Sequence, residues 1–143
     1  HTDRFPPGDA DMHAPEGEVM KRMMGGDFSN RNGWSLYHGV MVPGFPKHPH
    51  RGIETVTIVN RGLVDHSDSA GCKGRFGEGG DAQWMTAGRG ICHAEMFPLR
   101  NRTAPNVGEA IQIWINLPSE RKLADPDFHM LWQEDVPSTT LPS

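Results

Sequence analysis

Apolar residues in this chain fall into short runs closed by glycine or proline, and no stretch sustains a helical period. The clearest run covers residues 109–117. There Ile111, Ile113, Ile115 and Leu117 alternate with Gln112, Trp114 and Asn116, the period of two expected of a strand with unlike faces. Residues 53–60 carry β-branched side chains at both parities, which predicts a strand buried on both sides. Further strands are expected over 34–42, 63–67, 82–85 and 91–96. Turns are expected at Asn32-Gly33, Arg61-Gly62, Ala70-Gly71 and Gly79-Gly80. Helical signal is confined to a turn or two at 16–24 and 120–124. Many short strands with Gly/Pro punctuation predict an all-β sandwich or barrel. We divide the chain into an N-terminal arm (1–18), one domain (19–135) and a Pro/Ser/Thr tail that reads as a linker (136–143).

Composition narrows the function. At 143 residues the chain is long enough for one compact core. Fourteen basic residues, scattered among eighteen acidic ones, leave a net charge of −4 and argue against a nucleic-acid surface. No apolar run approaches the ~20 residues needed to cross a bilayer. The first residues lack the hydrophobic stretch of a signal peptide, so the expected compartment is the cytoplasm. Two cysteines, Cys72 and Cys92, make no disulfide framework and are expected to be reduced thiols.

Histidine carries the candidate chemistry. In extended backbone, His48 and His50 project from one face, with Pro49 between them favouring an edge strand. Glu54 shares that parity if the strand runs on unbroken, and is then expected in the same cavity. There it would accept a hydrogen bond from a ligating imidazole or act as a base; otherwise it is a solvent-facing strand residue. The second pair, His93 and Glu95, has the same i, i+2 spacing and turns Cys92 to the opposite face. Two such pairs on facing strands of a barrel would supply three imidazoles and one carboxylate, leaving positions open on a six-coordinate ion. That set suits one divalent transition metal: Fe(II), Mn(II), Ni(II), Cu(II) or Zn(II). Gln112 and Asn116 either line the cavity or lie on a solvated face. Trp84 and Met85 are expected in the core rather than in contact with a cofactor, Arg89 in a structural ion pair rather than on an anionic ligand, and His38, His66 and His129 as satisfied polar residues at strand ends.

Several of these segments resemble the signatures of one family. They are His48-Pro49-His50-Arg51-Gly52-Ile53-Glu54-Thr55-Val56-Thr57, Asp65-His66-Ser67-Asp68-Ser69, and Asp81-Ala82-Gln83-Trp84-Met85-Thr86-Ala87-Gly88-Arg89-Gly90. His93-Ala94-Glu95-Met96 and Gln112-Ile113-Trp114-Ile115-Asn116-Leu117-Pro118 complete the set. In order and spacing these look like the N-terminal domain of the pirin family, within the cupin superfamily. The resemblance implies a single-domain cupin-type jelly-roll barrel with one metal, typically iron, held by His48, His50, His93 and Glu95. It also implies one of two functions. The first is a quercetin 2,3-dioxygenase type of oxidoreductase acting on a flavonol-like aromatic substrate, with Glu95, or Glu54 behind it, taking the substrate proton. The second is a non-catalytic, redox-responsive module that associates with a protein partner such as a transcription factor. Metal binding without turnover is a third, plainer reading. Pirins usually continue into a second, metal-free cupin domain, whereas this chain stops near the expected linker. A homodimer is therefore expected to cover apolar surface left exposed.

Overall fold

The computed structural model describes residues 2–19 and 41–140, and these build two antiparallel sheets. In chain order the strands are β1 (Thr2–Phe5), β2 (Gly44–His50), β3 (Ile53–Arg61), β4 (Leu63–Asp68) and β5 (Lys73–Gly77). They continue with β6 (Asp81–Thr86), β7 (Ile91–Met96), β8 (Asn106–Asn116) and β9 (Asp127–Leu131). One sheet runs β1-β8-β3-β6-β9 and the other β2-β7-β4-β5. Single 3-10 turns at Ser119–Arg121 and Gln133–Asp135 are the helical elements among the described residues. The all-β expectation therefore holds. The expected strand at 34–42 (except 41 and 42), the Asn32-Gly33 turn, His38 and most of the 16–24 segment lie outside the described residues.

Apolar side chains meet between the sheets at two levels. Val59, Val64 and Phe76 form one cluster, and Met85, Ala87 and Ile91 form another. Register places a polar layer between them: Thr57 opposite both Gln83 and Gln112 on one sheet, and His66 opposite Glu95 on the other. The interior is thus built to hold polar groups, with hydrocarbon sealing either side.

Two sequence expectations change here, and a question left open by the sequence is decided. Residues 1–18 were expected as an arm, but β1 pairs with β8, and Phe5, Ala14 and Val19 bury with Leu99 in a third cluster. Trp84, expected in the core beside Met85, lies on the outer face of β6 with 38% of its surface exposed, while Met85 is fully buried. The alternation along β8 is real, but its apolar side faces outward: Ile111, Ile113 and Ile115 are 49%, 47% and 38% exposed. Cross-strand pairing sets Val56 beside Ile113 and Trp84, and Ile58 beside Ile111 and Ala82, so the outer face of this sheet carries a broad apolar band.

The loop from β6 to β7 is tied into the barrel by backbone bonds. Gly52 N–H donates to Gly88 O (2.7 Å), Ala87 N–H to Ile53 O (2.9 Å) and Arg89 N–H to Ala124 O (2.8 Å). Gly88 has φ +48, and any Cβ there would collide with the Ala124 carbonyl, so the position demands glycine. Arg89 forms a solvent-exposed ion pair with Asp125 at 2.7 Å, the structural role expected for it.

Candidate metal centre

β2 is an edge strand, the place where Pro46 and Pro49 cost no ladder bond to a missing neighbour. Its single partner β7 sets His48 directly opposite His93. The three imidazoles converge, with ring centroids 4.4 Å apart for His48–His93, 4.9 Å for His48–His50 and 4.9 Å for His50–His93. One ligand nitrogen from each lies within 4.8 Å of the others.

Protonation suits a cation. The His48 Nδ1–H donates to Pro46 O at 2.9 Å, leaving Nε2 as a lone-pair donor. The Nε2 atoms of His50 and His93 are buried and have no protein partner. A buried orphan of that kind costs ~1–3 kcal/mol, and two beside each other need a reason. Burial first, then mutual repulsion with the other imidazoles, lowers the His50 pKa to about 4 and that of His93 to about 2. Both rings are neutral at pH 7, the form that binds metal.

Glu95 lies two residues beyond His93 on the same inward face and is 3% exposed. Burial raises its pKa to about 7, opposed by hydrogen bonds from Gln112 and Thr57. Gln112 Nε2 lies 3.4 Å from both carboxylate oxygens and donates to Thr57 Oγ1 at 3.0 Å. Glu95 is thus held toward β8 and stands outside the tight histidine cluster. Three neutral imidazoles, a buried carboxylate and no thiolate match a divalent transition ion.

Glu54 is not in this cavity. Residues 51–52 carry the chain from one sheet to the other, and Gly52 turns with φ +69, which breaks the parity that links Glu54 to His50. On β3 the inward side chains are Thr55, Thr57 and Val59. Glu54 faces outward, where its carboxylate accepts Trp84 Nε1–H (3.1 Å) and Thr86 Oγ1–H (2.9 Å). Glu54 therefore lies on the opposite face of β3 from the imidazoles, bonded to Trp84 and Thr86 rather than to the site.

The other singled-out residues sort by strand face. Cys92 lies between the inward-facing Ile91 and His93, turned away from the cavity, and both cysteines are free thiols. Gln112 faces the cavity, while Asn116 Oδ1 accepts Lys122 Nζ–H at the barrel rim (2.6 Å). His129 is exposed beside Asp127. The exposed Asp9, Asp11 and His13 group is a surface turn in which Asp9 Oδ1 accepts the Asp11 and His13 backbone N–H groups.

Sequence reasoning missed two features. His66 is not a strand-end residue but is buried directly behind His93, their Nδ1 atoms 3.3 Å apart. Its i, i+2 spacing to Asp68 on an inward face is the signal that was available. Trp114 stands half-exposed at the mouth with its ring 5.3 Å from His50 and its Nε1–H donated to Gln112 Oε1 at 2.7 Å.

Comparison with known proteins agrees with this geometry. The family model described as Pirin matches residues 11–115. A pirin-like protein of Solanum lycopersicum is 48% identical over 94 residues, covering 66% of this chain and 30% of that one. The crystal structure of a quercetin 2,3-dioxygenase from Acinetobacter baumannii superposes with a TM-score of 0.61 at 41% identity, covering 67% of this chain and 33% of its own. A bacterial pirin from Escherichia coli, YhhW, solved in complex with nickel(II), gives a TM-score of 0.53 at 25% identity over 92% of this chain and 58% of that one. The chain spans about a third of the length of the curated relatives it matches. The fold is the cupin-type barrel of these proteins, and no helix among the described residues is long and apolar enough to cross a membrane.

Proposed function

We propose, on the footing that this chain belongs to the pirin family, that it binds one divalent transition metal, Fe(II) in the first instance, and acts as a quercetin 2,3-dioxygenase type of oxidoreductase on a flavonol-like substrate. The observation that carries the metal is the convergence of three imidazoles, two with buried, unpartnered Nε2 atoms. His48, His50 and His93 would hold the ion, with Glu95 as the fourth ligand. When bound, the ion supplies Lewis-acid polarisation and a template for two reactants.

The chain's own residues supply the rest. Glu95, a buried carboxylate facing the cavity, is placed to accept a hydroxyl proton from a substrate held there. Gln112 sets the carboxylate's direction from behind. Trp114 offers a flat apolar wall at the rim beside His50, where an aromatic ring can stack.

Anaerobic reconstitution with Fe(II), followed by oxygen uptake with quercetin on a sample of known metal content, tests the proposal. Uptake that tracks iron and vanishes in Glu95→Ala is the expected result. Full iron occupancy without uptake would overturn the oxygenase reading in favour of a metal-binding, redox-responsive module that works through a protein partner.

The outward apolar band of the β8, β3 and β6 sheet favours association as well. We propose that a second copy of the chain covers it, since Ile111, Ile113, Ile115 and Trp84 together exceed the scattered single hydrophobes of a monomer surface. Sedimentation at micromolar concentration is expected to give a dimer, which Ile113→Lys reduces to a monomer. A monodisperse wild-type monomer would refute it.

A further inference from the structure

We propose that Asp68, His66 and His93 form one directed hydrogen-bond chain that fixes the His93 tautomer and presents its Nε2 as the bare donor atom; the inference rests on the metal-centre reading above. Asp68 is the anchor. Its Oδ1 accepts the backbone N–H groups of Ala70 (2.9 Å) and Cys72 (3.0 Å), so the β4–β5 turn fixes the carboxylate and leaves Oδ2 to reach inward. Oδ2 lies 2.9 Å from His66 Nε2, and neither side chain is exposed to solvent.

Direction follows by elimination. An ionised carboxylate only accepts, so His66 Nε2 carries the hydrogen. A neutral imidazole has one N–H, which leaves His66 Nδ1 bare. That atom faces His93 Nδ1 at 3.3 Å. Two bare nitrogens would repel and two N–H groups would clash, so His93 must donate its Nδ1–H. The remaining nitrogen of His93, Nε2, is then unprotonated, and it is the buried atom for which the protein provides no partner.

Packing keeps the chain in place. The Phe128 ring lies 5.0 Å from that of His66, and β4 pairs with β7 so that His66 sits opposite Glu95 and Asp68 opposite His93. His48 reaches the same tautomer by another route, through the backbone carbonyl of Pro46. The His93 arrangement differs in ending on a charge, which makes the ring a stronger donor as well as an oriented one. His66 and Asp68 are therefore positioning residues that act through His93.

Two measurements test this. In metal-free protein labelled with 15N-histidine, long-range proton–nitrogen correlation reads the tautomer of each ring. The expected result is His66 protonated at Nε2 and His93 at Nδ1; the opposite tautomer at either ring overturns the proposal. The second is a competition titration with Ni(II) and a chromophoric chelator. His66→Leu fills the space without an acceptor and is expected to weaken binding by ~10–100-fold. His66→Asn can place its Oδ1 where Nδ1 stood, and is expected to recover most of that loss. Wild-type affinity in a folded His66→Leu protein, or an Asn variant as weak as Leu, would sink the idea. Should His66→Leu not fold, the tautomer measurement decides alone. Should the wild type bind no nickel, the metal-centre reading fails while the tautomers still report on the chain.

Discussion

His48→Ala and His93→Ala are each expected to abolish stoichiometric metal binding, in a titration that gives one equivalent per wild-type chain. Each substitution removes one of three converging imidazoles and leaves the other two without the geometry that chelates an ion. The loss should exceed the ~10–100-fold that follows removal of an outer hydrogen-bond partner, because a bond to the ion itself is lost. His48 is the cleaner site, being half-buried at an edge strand. His93 is 1% exposed, and its truncation also strands His66 Nδ1, so circular dichroism must show that variant to be folded. Cys92→Ser is the matched control. Cys92 neighbours His93 in sequence but faces the other side of β7, so its replacement should leave metal content unchanged. Near-normal metal content in His48→Ala would refute the ligand assignment, and a large loss in Cys92→Ser would show the strand parity to be wrong.

The ligand pairs were legible because i, i+2 spacing within a strand is a local fact that tertiary structure did not disturb. Glu54 was misplaced because the same rule was carried across Gly52, where the chain changes sheets and the count restarts. Strand β8 shows a second limit. Its period of two is written in the sequence, but which side faces in is not. Hydropathy points the isoleucines inward, whereas a barrel that must hold imidazoles and a carboxylate takes Gln112 inside and leaves Ile111, Ile113 and Ile115 outside. The His66–His93 contact depends on β4–β7 register, which joins residues 27 apart and leaves no trace in either segment alone. Strands β5 and β9 escaped notice for a related reason. Lys73–Gly77 and Asp127–Leu131 are short outer strands of their sheets, only five residues each, whose existence rests on the neighbour they pair with.

The second large effect concerns the protein without its ion. Removing metal is expected to leave a fold whose stability falls steeply as pH drops below about 6.5 and which metal restores at neutral pH. His50 and His93 have folded pKa values lowered to about 4 and about 2, and that of His66 is lowered as well, all chiefly by burial. Unfolded, these rings titrate near the ordinary value of 6.5. Between the folded and unfolded values the unfolded chain binds more protons, so acid favours unfolding across that window. Glu95 works the other way. Its pKa is raised from 4.5 to about 7, so the folded state holds a proton that the unfolded state has lost, and that contribution disappears as pH rises through about 7. Three imidazoles outweigh one carboxylate, which places the stability maximum of the metal-free protein close to pH 7. A bound ion at a thousandfold excess over its Kd adds about 4 kcal/mol. For a chain of this size that corresponds to a rise in Tm of roughly 10 °C or more. Because the ligands must be deprotonated to bind, the increment should shrink as pH falls. Calorimetry of chelator-treated protein from pH 4.5 to 8, with and without added Ni(II), reads both terms. A metal-free Tm that stays flat between pH 4.5 and 6.5 would mean that the three rings titrate as if exposed, and that the cavity is far wetter than its packing implies.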